Sequence, residues 1–373
     1  MRLRFGQIFQ GYDWVLMATT LLLILVGLAS HYAGALGQGQ GLGSSVFIKQ
    51  TVAAVIGIIL LIVISQIDFR IYRSWFKLLY LSALALLGSV LLFGEQIRGT
   101  RGWFVLGNFS FQPVELVKLL FIISLAAYLV YLGPPLNFKK TFGSALLLLP
   151  PLALVLLQPD FGSASLLVLI FLVMLAMVPK RFSWWLWVIA VLIVVVSVSW
   201  FALADYQKSR LQVFLDPRLD PLGQGYNVSQ SIVAVGAGQW LGRGLGLGTQ
   251  SQLDFLPEQQ TDFIFASIAE ELGLFGATLI LAFFAVFFGR VIRLMRRLRD
   301  DFSLLVVGGI ASVLFSQVVL NISMNMGLAP VIGLPLPFLS AGGSSLVVSL
   351  ISVGMIENLA RRHSDQAPFE HNT

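Results

Sequence analysis

Ten stretches of the chain are apolar over about the 20 residues that a helix needs to cross a bilayer. Polar or basic segments separate them, and the fifth and sixth stretches are divided only by QPDFG. The ten stretches lie at 14–34, 46–66, 75–94, 112–132, 142–157, 161–178, 184–204, 263–288, 303–327 and 340–360. The pattern predicts an all-α polytopic membrane protein with ten transmembrane helices.

The composition agrees with a membrane protein. The chain has 373 residues, of which 57% are hydrophobic and 11% are charged, whereas soluble domains carry about 25% charged residues. It contains no cysteine, which excludes disulfides and thiolate metal sites. The first apolar stretch lacks an ending typical of signal peptidase sites, so we expect it to stay as a span.

The basic residues are distributed unequally between the two sides of the predicted bundle. If the N-terminus is cytoplasmic, 16 of the 24 Lys and Arg residues fall in cytoplasmic segments and 7 in outer segments, with Lys118 inside a span. This asymmetry follows the positive-inside rule, which explains the net charge of +6 without nucleic acid as a partner. It predicts that both termini are cytoplasmic and that the unusual segments face outward.

The two longest outer segments are residues 204–261 and 327–345. The first exceeds the usual connection length, and such loops are functional or disordered. Its apolar piece SQSIVAVGAGQWLG argues against disorder and fits either an interfacial helix or a re-entrant segment buried against the bundle. The second contains three prolines and a Gly-Gly pair, which favour an irregular backbone that lines a cavity. We expect one transmembrane domain, 1–373, with residues 205–262 as a large extracytoplasmic loop.

Four of the chain's 18 acidic residues lie in LPEQQTDFIFASIAEELG. Glu258 and Asp262 share a face if that turn is helical. Asp262 could be a carboxylate that stabilises a helix N-terminus, or it could accept a proton from a substrate hydroxyl. Glu270 and Glu271 would lie about 12 Å deeper along the helix. Ionisable groups at such depth usually face inward and are paired.

A second group of charged residues precedes and begins the fourth span. Glu115 and Lys118 are one helical turn apart, so Lys118 could pair with Glu115 or with the eighth span. A structural pair and a substrate-handling role both stay open. Together with Arg101 and Trp103, they predict an outer cavity with basic and acidic walls. A substrate with a lipid tail, a phosphate and sugar hydroxyls would suit such a cavity.

Several segments resemble the SEDS family of bacterial cell-shape, division and sporulation proteins, in the same order, over about residues 12–362. They are RGTRGW…FQPVELVKL, QPDFGSA, YQKSRLQVFLDPRLDPLGQGY, FLPEQQTDFIFASIAEELG and NMGLAPVIGLPLPFLSAGGSS. The wording SQLDFLPEQQTDF and GLPLPF looks more like the RodA branch than the FtsW branch. Ala341 stands where the family usually has tyrosine, so no direct role is expected for that side chain.

The resemblance implies a peptidoglycan glycosyltransferase, and we expect the transfer to be inverting. It would polymerise lipid II, an undecaprenyl-pyrophosphate disaccharide-pentapeptide, at the outer face of the bacterial cytoplasmic membrane during cell elongation. Asp262 matches the family's essential aspartate, and we expect it to be the general base. Expected substrate-binding residues are Arg101, Trp103, Glu115, Lys118, Arg210, Glu258, Ser340, Gly342 and Gly343. The implied partner is a class B penicillin-binding protein that acts as transpeptidase, beside membrane lipids and nascent glycan. No cofactor is certain, and a divalent cation, Mg²⁺ or Mn²⁺, stays open.

Three alternatives remain. A lipid II flippase would also use ten spans, buried charges and a polar cavity, but it predicts a polar path to the inner face and an internal repeat. The inner loops are short and basic, and no convincing repeat is evident, so a polymerase is favoured. A scaffold that only recruits the transpeptidase would leave the outer carboxylates unexplained. The FtsW-type division paralogue would carry out the same polymerisation.

Overall fold

The computed structural model describes residues 11–37, 41–97, 99–107, 109–179, 205–221, 223–253, 255–256 and 258–364. Most of these residues are helical. The helices are α1 (Trp14–Gly37), α2 (Ser45–Ile64), α3 (Phe69–Ser74), α4 (Phe76–Phe93), α5 (Pro113–Leu132), α6 (Phe138–Leu157), α7 (Phe161–Met177), α8 (Asp205–Leu215), α9 (Gln224–Ala237), α10 (Thr249–Gln252), α11 (Ile264–Met295), α12 (Asp301–Asn325) and α13 (Gly343–Ser364).

The predicted all-α membrane architecture is confirmed. Among the described residues, eight helices are long and apolar enough to cross a membrane, and α7 is a slightly shorter apolar helix. Their bounds lie within a few residues of the predicted spans, except at α6, which begins earlier, and α11, which ends later. The seventh predicted span, 184–204, lies outside the described residues, so the count of ten stays a prediction.

Local sequence explains where several helices begin. Pro113 occupies the first turn of α5, where its missing N–H costs no hydrogen bond. Asp160 and Asp300 precede α7 and α12, and each carboxylate accepts a hydrogen bond from the backbone N–H three residues later, at 2.9 Å. Because these caps satisfy N–H groups that a helix leaves unpaired, they define the helix ends.

Close helix packing in the bundle depends on glycine. A Cβ added at Gly354 of α13 would lie 2.5 Å from the Leu61 carbonyl oxygen of α2, and one at Gly27 of α1 would lie 2.8 Å from the Leu339 carbonyl oxygen. Small residues at helix contacts are typical of membrane bundles, where the gain comes from close packing. Helices α5 and α13 are the most enclosed of the candidate spans among the described residues, and Phe121 and Leu125 of α5 are almost fully buried in the core.

A small antiparallel sheet connects α4 to α5. Its strands are β1 (Glu95–Ile97), β2 (Thr100–Leu106) and β3 (Phe109–Phe111), in that spatial order. Gln96 pairs with Arg101, and Val105 pairs with Ser110. We call the end of the bundle that carries this sheet the sheet end; α5, α7, α11 and α13 begin there. We call the opposite end, where α1 begins and α11 and α13 finish, the Arg290 end.

Helix α11 is not continuous. Gly273 has φ 65° and ψ −160°, outside the helical region, so α11 consists of a short first piece, Ile264–Leu272, and a long second piece. From Leu274 to Met295 the second piece rises about 33 Å, enough to cross the roughly 30 Å hydrocarbon core alone. The predicted single span over 263–288 is therefore broken, and the first piece lies on the sheet-end side of the break.

Candidate active site

A cavity of about 180 Å³ lies at the sheet end, and we call it the central cavity. Segments far apart in sequence line it: β2, the starts of α5, α7 and α13, α8, and the turn before α11. Its polar lining includes Trp103, Gln112, Asp160, Arg210 and Asp262. Two carboxylates and one guanidinium therefore meet in one space, a composition suited to proton transfer and to binding an anionic group.

The backbone around Asp262 is held by the neighbouring helix α12. Asn321 and Asn325 are fully buried one turn apart. Both side-chain amides donate to the Asp262 carbonyl oxygen, at 3.0 and 2.9 Å. The Asn325 amide oxygen also accepts the N–H of Ala266, at 3.0 Å. Because Asp262 precedes the helix, its carbonyl needs such outside partners, and these bonds position the carboxylate.

The two residues before Asp262 are held in the same way. The Thr261 carbonyl oxygen accepts the hydroxyl of Ser340 at 2.6 Å, and the Gln260 carbonyl oxygen accepts the N–H of Ala341 at 2.8 Å. Ser340 is buried, so it acts as a structural support for the backbone beside Asp262. On the other side of Asp262, a Cβ added at Gly333 would lie 3.6 Å from the Asp262 Oδ2.

The turn that carries Glu258 is not helical. Helix α11 begins at Ile264 with Phe263 as its N-cap residue, and Glu258 has φ 57°. The condition for Glu258 and Asp262 to share a helical face is therefore not met, because the segment forms turns that expose Glu258. The Glu258 carboxylate accepts the hydroxyl of Thr261 at 2.9 Å and does not line the central cavity.

Arg210 brings positive charge to the cavity from helix α8. Its Nη1 donates to the Val331 carbonyl oxygen at 3.5 Å, a long bond. Its Nε is buried and has no hydrogen-bond partner within the described part of the chain. A guanidinium with donors to spare, in a cavity with a carboxylate, can bind a phosphate oxygen.

Asp160 is a cavity residue that the sequence reasoning missed. One oxygen caps α7, and Oδ2 accepts the side-chain amide of Gln112 at 3.4 Å. Gln112 in turn donates its N–H to the Ser344 hydroxyl at 3.0 Å, which joins the starts of α5, α7 and α13. The motif QPDFG is the sequence signal that could have identified this residue, since it places an acid at the outer start of a span.

The structure brings Trp103, Arg210, Asp262 and Gly342 of the predicted residues into the central cavity. Arg101 is not in its lining: it is exposed and donates to the Leu92 and Gly94 carbonyl oxygens, at 3.3 and 3.2 Å. Gly343 borders a neighbouring groove with Lys49 and Phe111. Trp103 therefore lines the central cavity, whereas Arg101 of the same strand does not.

Glu115 and Lys118 line a separate cavity of about 20 Å³, together with Gln317, Ser349 and Ser352. Lys118 Nζ lies 2.8 Å from Glu115 Oε1, and the two side chains are only 3% and 6% exposed. The pairing within α5 is thus the alternative that the structure supports for Lys118. The serines continue the face of α13 whose Ser345 lines the central cavity.

Glu270 and Glu271 have partners other than a lysine. Glu270 Oε1 accepts the N–H of Gln250 at 2.8 Å, and Glu271 Oε1 accepts the N–H of Gly246 at 3.1 Å. The expected pairing of these buried acids is therefore made with the backbone of the large loop. In the same loop, α9 buries Ser231 against α12, where its hydroxyl donates to the Asn325 carbonyl oxygen at 2.7 Å.

Among the described residues, no group of three or more His, Cys, Asp or Glu side chains could hold a metal ion.

Comparison with known proteins identifies relatives along almost the whole chain. Residues 12–365 match the family model of FtsW, RodA and SpoVE, described as cell cycle protein. Peptidoglycan glycosyltransferase MrdB of Escherichia coli K12 is 36% identical over 351 residues, which cover 93% of this chain and 94% of that protein.

Two solved structures are similar in fold. One is described as "Structural coordination of polymerization and crosslinking by a peptidoglycan synthase complex"; it matches with TM-score 0.81 and 29% identity, over 95% of this chain and 99% of that one. The other is the rod shape determining protein RodA of Thermus thermophilus, with TM-score 0.70 and 27% identity, over 96% and 99%.

Proposed function

This chain belongs to the SEDS family of FtsW, RodA and SpoVE, and we propose that it is a peptidoglycan glycosyltransferase. It joins the disaccharide units of lipid II into glycan strands at the outer face of the bacterial cytoplasmic membrane. The motif wording and the similarity to a RodA structure favour a role in cell elongation. The division role of an FtsW-type paralogue would use the same chemistry.

The observation that carries the proposal is the central cavity. It unites Asp262 with Arg210 and Trp103, which come from three different parts of the chain. Sugar hydroxyls need an acceptor for a proton, pyrophosphate needs a cation, and a sugar ring packs well on an aromatic face. Asp262, Arg210 and Trp103 supply these three in that order.

The proposed reaction is a single displacement with inversion. Asp262 accepts the proton of the acceptor GlcNAc 4-hydroxyl as its oxygen forms a bond to the anomeric carbon of the donor MurNAc. The bond from that carbon to the pyrophosphate oxygen breaks, and undecaprenyl pyrophosphate leaves with the bonding electrons. Arg210 offsets its negative charge. A general base contributes about 10²–10⁴-fold, so positioning and charge stabilisation supply the rest.

We place both termini in the cytoplasm and the sheet end outside. The described residues of the Arg290 end include a basic series on α11 and after it: Arg290, Arg293, Arg296, Arg297 and Arg299. Positive charge of this kind stays on the cytoplasmic side. The central cavity then opens toward the side on which glycan strands assemble.

A class B penicillin-binding protein is the proposed partner. The solved synthase complex couples polymerisation with crosslinking, as its description states, and this chain covers nearly all of the matched subunit. Crosslinking needs a transpeptidase, and the cavity residues of this chain suit glycosyl transfer instead. The division of work between two proteins follows from that difference.

The flippase alternative is disfavoured by the Arg290 end. Arg290 Nε donates to both oxygens of Asp13, at 3.0 and 2.9 Å, and the Asp13 N–H donates to Glu357 at 3.0 Å. This ion pair and this hydrogen bond join the start of α1 to α11 and α13, where a transport path would have to open.

The test is polymer formation from purified lipid II in liposomes. Wild type and Asp262→Asn are compared, each with and without a penicillin-binding partner whose transpeptidase is blocked. We expect glycan strands from wild type and a loss of about 100-fold or more in the variant, because its neutral amide cannot act as the base. A folded Asp262→Asn protein with near-normal turnover would remove Asp262 from the mechanism. Wild type that moves lipid II across the bilayer but makes no strands would favour the flippase.

A further inference from the structure

A glycine-rich loop, residues 239–250, is docked on the break in helix α11. The break leaves backbone groups on both sides of Gly273 without helical partners. The loop supplies four bonds to them: Arg243 N to Glu270 O (2.9 Å), Gly244 N to Glu271 O (2.9 Å), Leu274 N to Gln239 O (2.8 Å) and Phe275 N to Trp240 O (3.2 Å). Loop and broken helix thus form one hydrogen-bonded unit.

Two buried carboxylates add to this docking. Glu270 is fully buried and Glu271 is 2% exposed. Glu270 Oε1 accepts the Gln250 N–H at 2.8 Å and the Thr249 hydroxyl at 3.4 Å, and Glu271 Oε1 accepts the Gly246 N–H at 3.1 Å. These carboxylate oxygens satisfy donors that would otherwise be buried without a partner. The two acids therefore hold the end of the loop that leads toward Asp262.

Two glycines of the loop lie too close to neighbouring backbone to carry a side chain. A Cβ added at Gly242 would collide with the Glu271 carbonyl oxygen, and one at Gly246 would lie 3.0 Å from the Ala33 carbonyl oxygen of α1. Both glycines have positive φ, 79° and 70°. These positions suit only glycine, so the sequence of the loop is adapted to this contact.

The docked loop is connected directly to the Asp262 turn. The contact between Glu270 and Gln250 joins residues 20 apart, and Asp262 lies in the segment between them. Leu256 of that segment is 1% exposed and packs with Phe263 and Ala266 in a small apolar cluster. The Asp262 turn is thus held by α12 on one side and by the loop docked on α11 on the other.

We propose that Glu270 and Glu271 are positioning residues. By binding the backbone amides of Gln250 and Gly246 they form an amide clamp, which keeps Asp262 in its catalytic position without touching substrate. This inference rests on the proposed polymerase function. In this role the two acids hold the loop in position by accepting hydrogen bonds. Their acceptor oxygens therefore matter, and their negative charge is secondary. A substrate ligand or proton carrier at these positions would need the charge or an exchangeable proton.

The test combines kinetics with amide hydrogen exchange. Polymerisation of lipid II by Glu270→Ala, Glu270→Gln and wild type is measured in liposomes with the blocked partner, and exchange is followed at the Gly246 and Gln250 amides. We expect Glu270→Ala to lower kcat about tenfold or more, with KM within about threefold, because small displacements of a catalytic group are costly. Exchange at Gln250 should rise. Glu270→Gln, which keeps an acceptor oxygen, should restore kcat to within about threefold.

The matched control is Glu357→Ala at the Arg290 end. Glu357 is also a 2% exposed glutamate that accepts a backbone N–H, that of Asp13 at 3.0 Å. We expect it to lower the unfolding temperature as Glu270→Ala does, with kcat per folded molecule unchanged. If Glu270→Ala fails to fold, Gly242→Ala displaces the loop and leaves both acids intact, and it should lower kcat in the same way.

Three results would overturn the clamp while wild type still makes strands. The first is a near-normal kcat in Glu270→Ala despite fast exchange at Gln250. The second is a Glu270→Gln protein as defective as the alanine variant, which would assign the charge a direct role. The third is a folded Gly242→Ala protein with unchanged kcat. Failure of wild type to make any strands would instead overturn the proposed function.

Discussion

The two ends of the bundle both contain charged residues that are at least partly buried, but they use them differently. At the sheet end, Asp262 and Arg210 face the central cavity. At the Arg290 end, the Asp13 carboxylate accepts Arg290 Nε at 3.0 and 2.9 Å, and the Asp13 N–H donates to Glu357 at 3.0 Å, so these groups satisfy one another. Charged groups that satisfy each other are costly to separate, whereas charged groups that line a space are available to a ligand.

Both ends contain buried asparagines that donate hydrogen bonds to backbone carbonyl oxygens, but with different results. At the Arg290 end, the Asn358 side chain donates to the Ile64 and Ser65 carbonyl oxygens, at 3.1 and 2.8 Å, and so completes the end of α2. At the sheet end, Asn321 and Asn325 donate to the carbonyl of Asp262. A buried asparagine closes a helix in one case and positions a candidate base in the other.

The largest expected effect is a loss of stability at the Arg290 end. Asp13→Ala removes the carboxylate that pairs with Arg290, whose side chain is 24% exposed, so we expect a cost of about 3 kcal/mol, the lower end of the range for breaking a buried pair. Thermal unfolding of the purified protein should show a clear loss, while polymerisation per folded molecule should stay near normal. A loss of polymerisation in protein that is still folded would mean that the two ends are coupled.

The next effect is on turnover at the sheet end. Arg210→Ala removes the guanidinium that we place beside the leaving pyrophosphate, and losing one such electrostatic contact costs roughly 100-fold in kcat. Stability should change little, because the bond to Val331 is long. The control is Arg218→Ala, an exposed arginine in the same large loop. Equal activity of the two variants would contradict a role for Arg210.

Asn325→Ala should affect both properties moderately. It leaves the Ala266 N–H without its acceptor and removes one of two donors to the Asp262 carbonyl, at a cost of about 1–3 kcal/mol. We expect kcat to fall about tenfold, because Asp262 loses part of its support. Unfolding and polymerisation are measured on the same preparation. A stability loss without any change in kcat would show that Asn321 alone positions Asp262.

The smallest expected change is in Asp160→Asn. The amide oxygen can still cap α7, so stability should hold within about 1 kcal/mol. Loss of the charge from the central cavity should weaken turnover about fivefold, the equivalent of roughly 1 kcal/mol. Steady-state polymerisation at several lipid II concentrations measures it. A fall as deep as that of Asp262→Asn would make Asp160 a second essential carboxylate.

Much of the fold could be predicted because its causes are local. A run of apolar residues must be helical in lipid, since each N–H and carbonyl needs a partner within the segment. The spans at α2, α4 and α5 were therefore located to within a few residues. The strands β1–β3 were missed, although Gly107 and Asn108 between apolar residues are typical of a hairpin turn. Outside the hydrocarbon, the backbone has several ways to satisfy its bonds.

The candidate site could be predicted in part. The motif wording led to Asp262, Arg210 and Trp103, which the structure places around one cavity. Asp160 was missed because a carboxylate before a helix is explained by capping alone. Glu258 and Arg101 were assigned to the site because they fall on family motifs, yet neither lines the central cavity: Glu258 accepts the Thr261 hydroxyl, and Arg101 donates to the Gly94 carbonyl oxygen.

By itself, the sequence determined that this protein is a membrane bundle of the SEDS family, with its unusual polar segments at one end. Hydropathy and motif order are properties of short segments, so they need no knowledge of contacts. Only the tertiary structure decided which polar groups meet: Glu270 with the amide of Gln250, Asp13 with Arg290, and Asp262 with the space beside Arg210. Those pairings join residues that are distant in the chain, and packing geometry selects them.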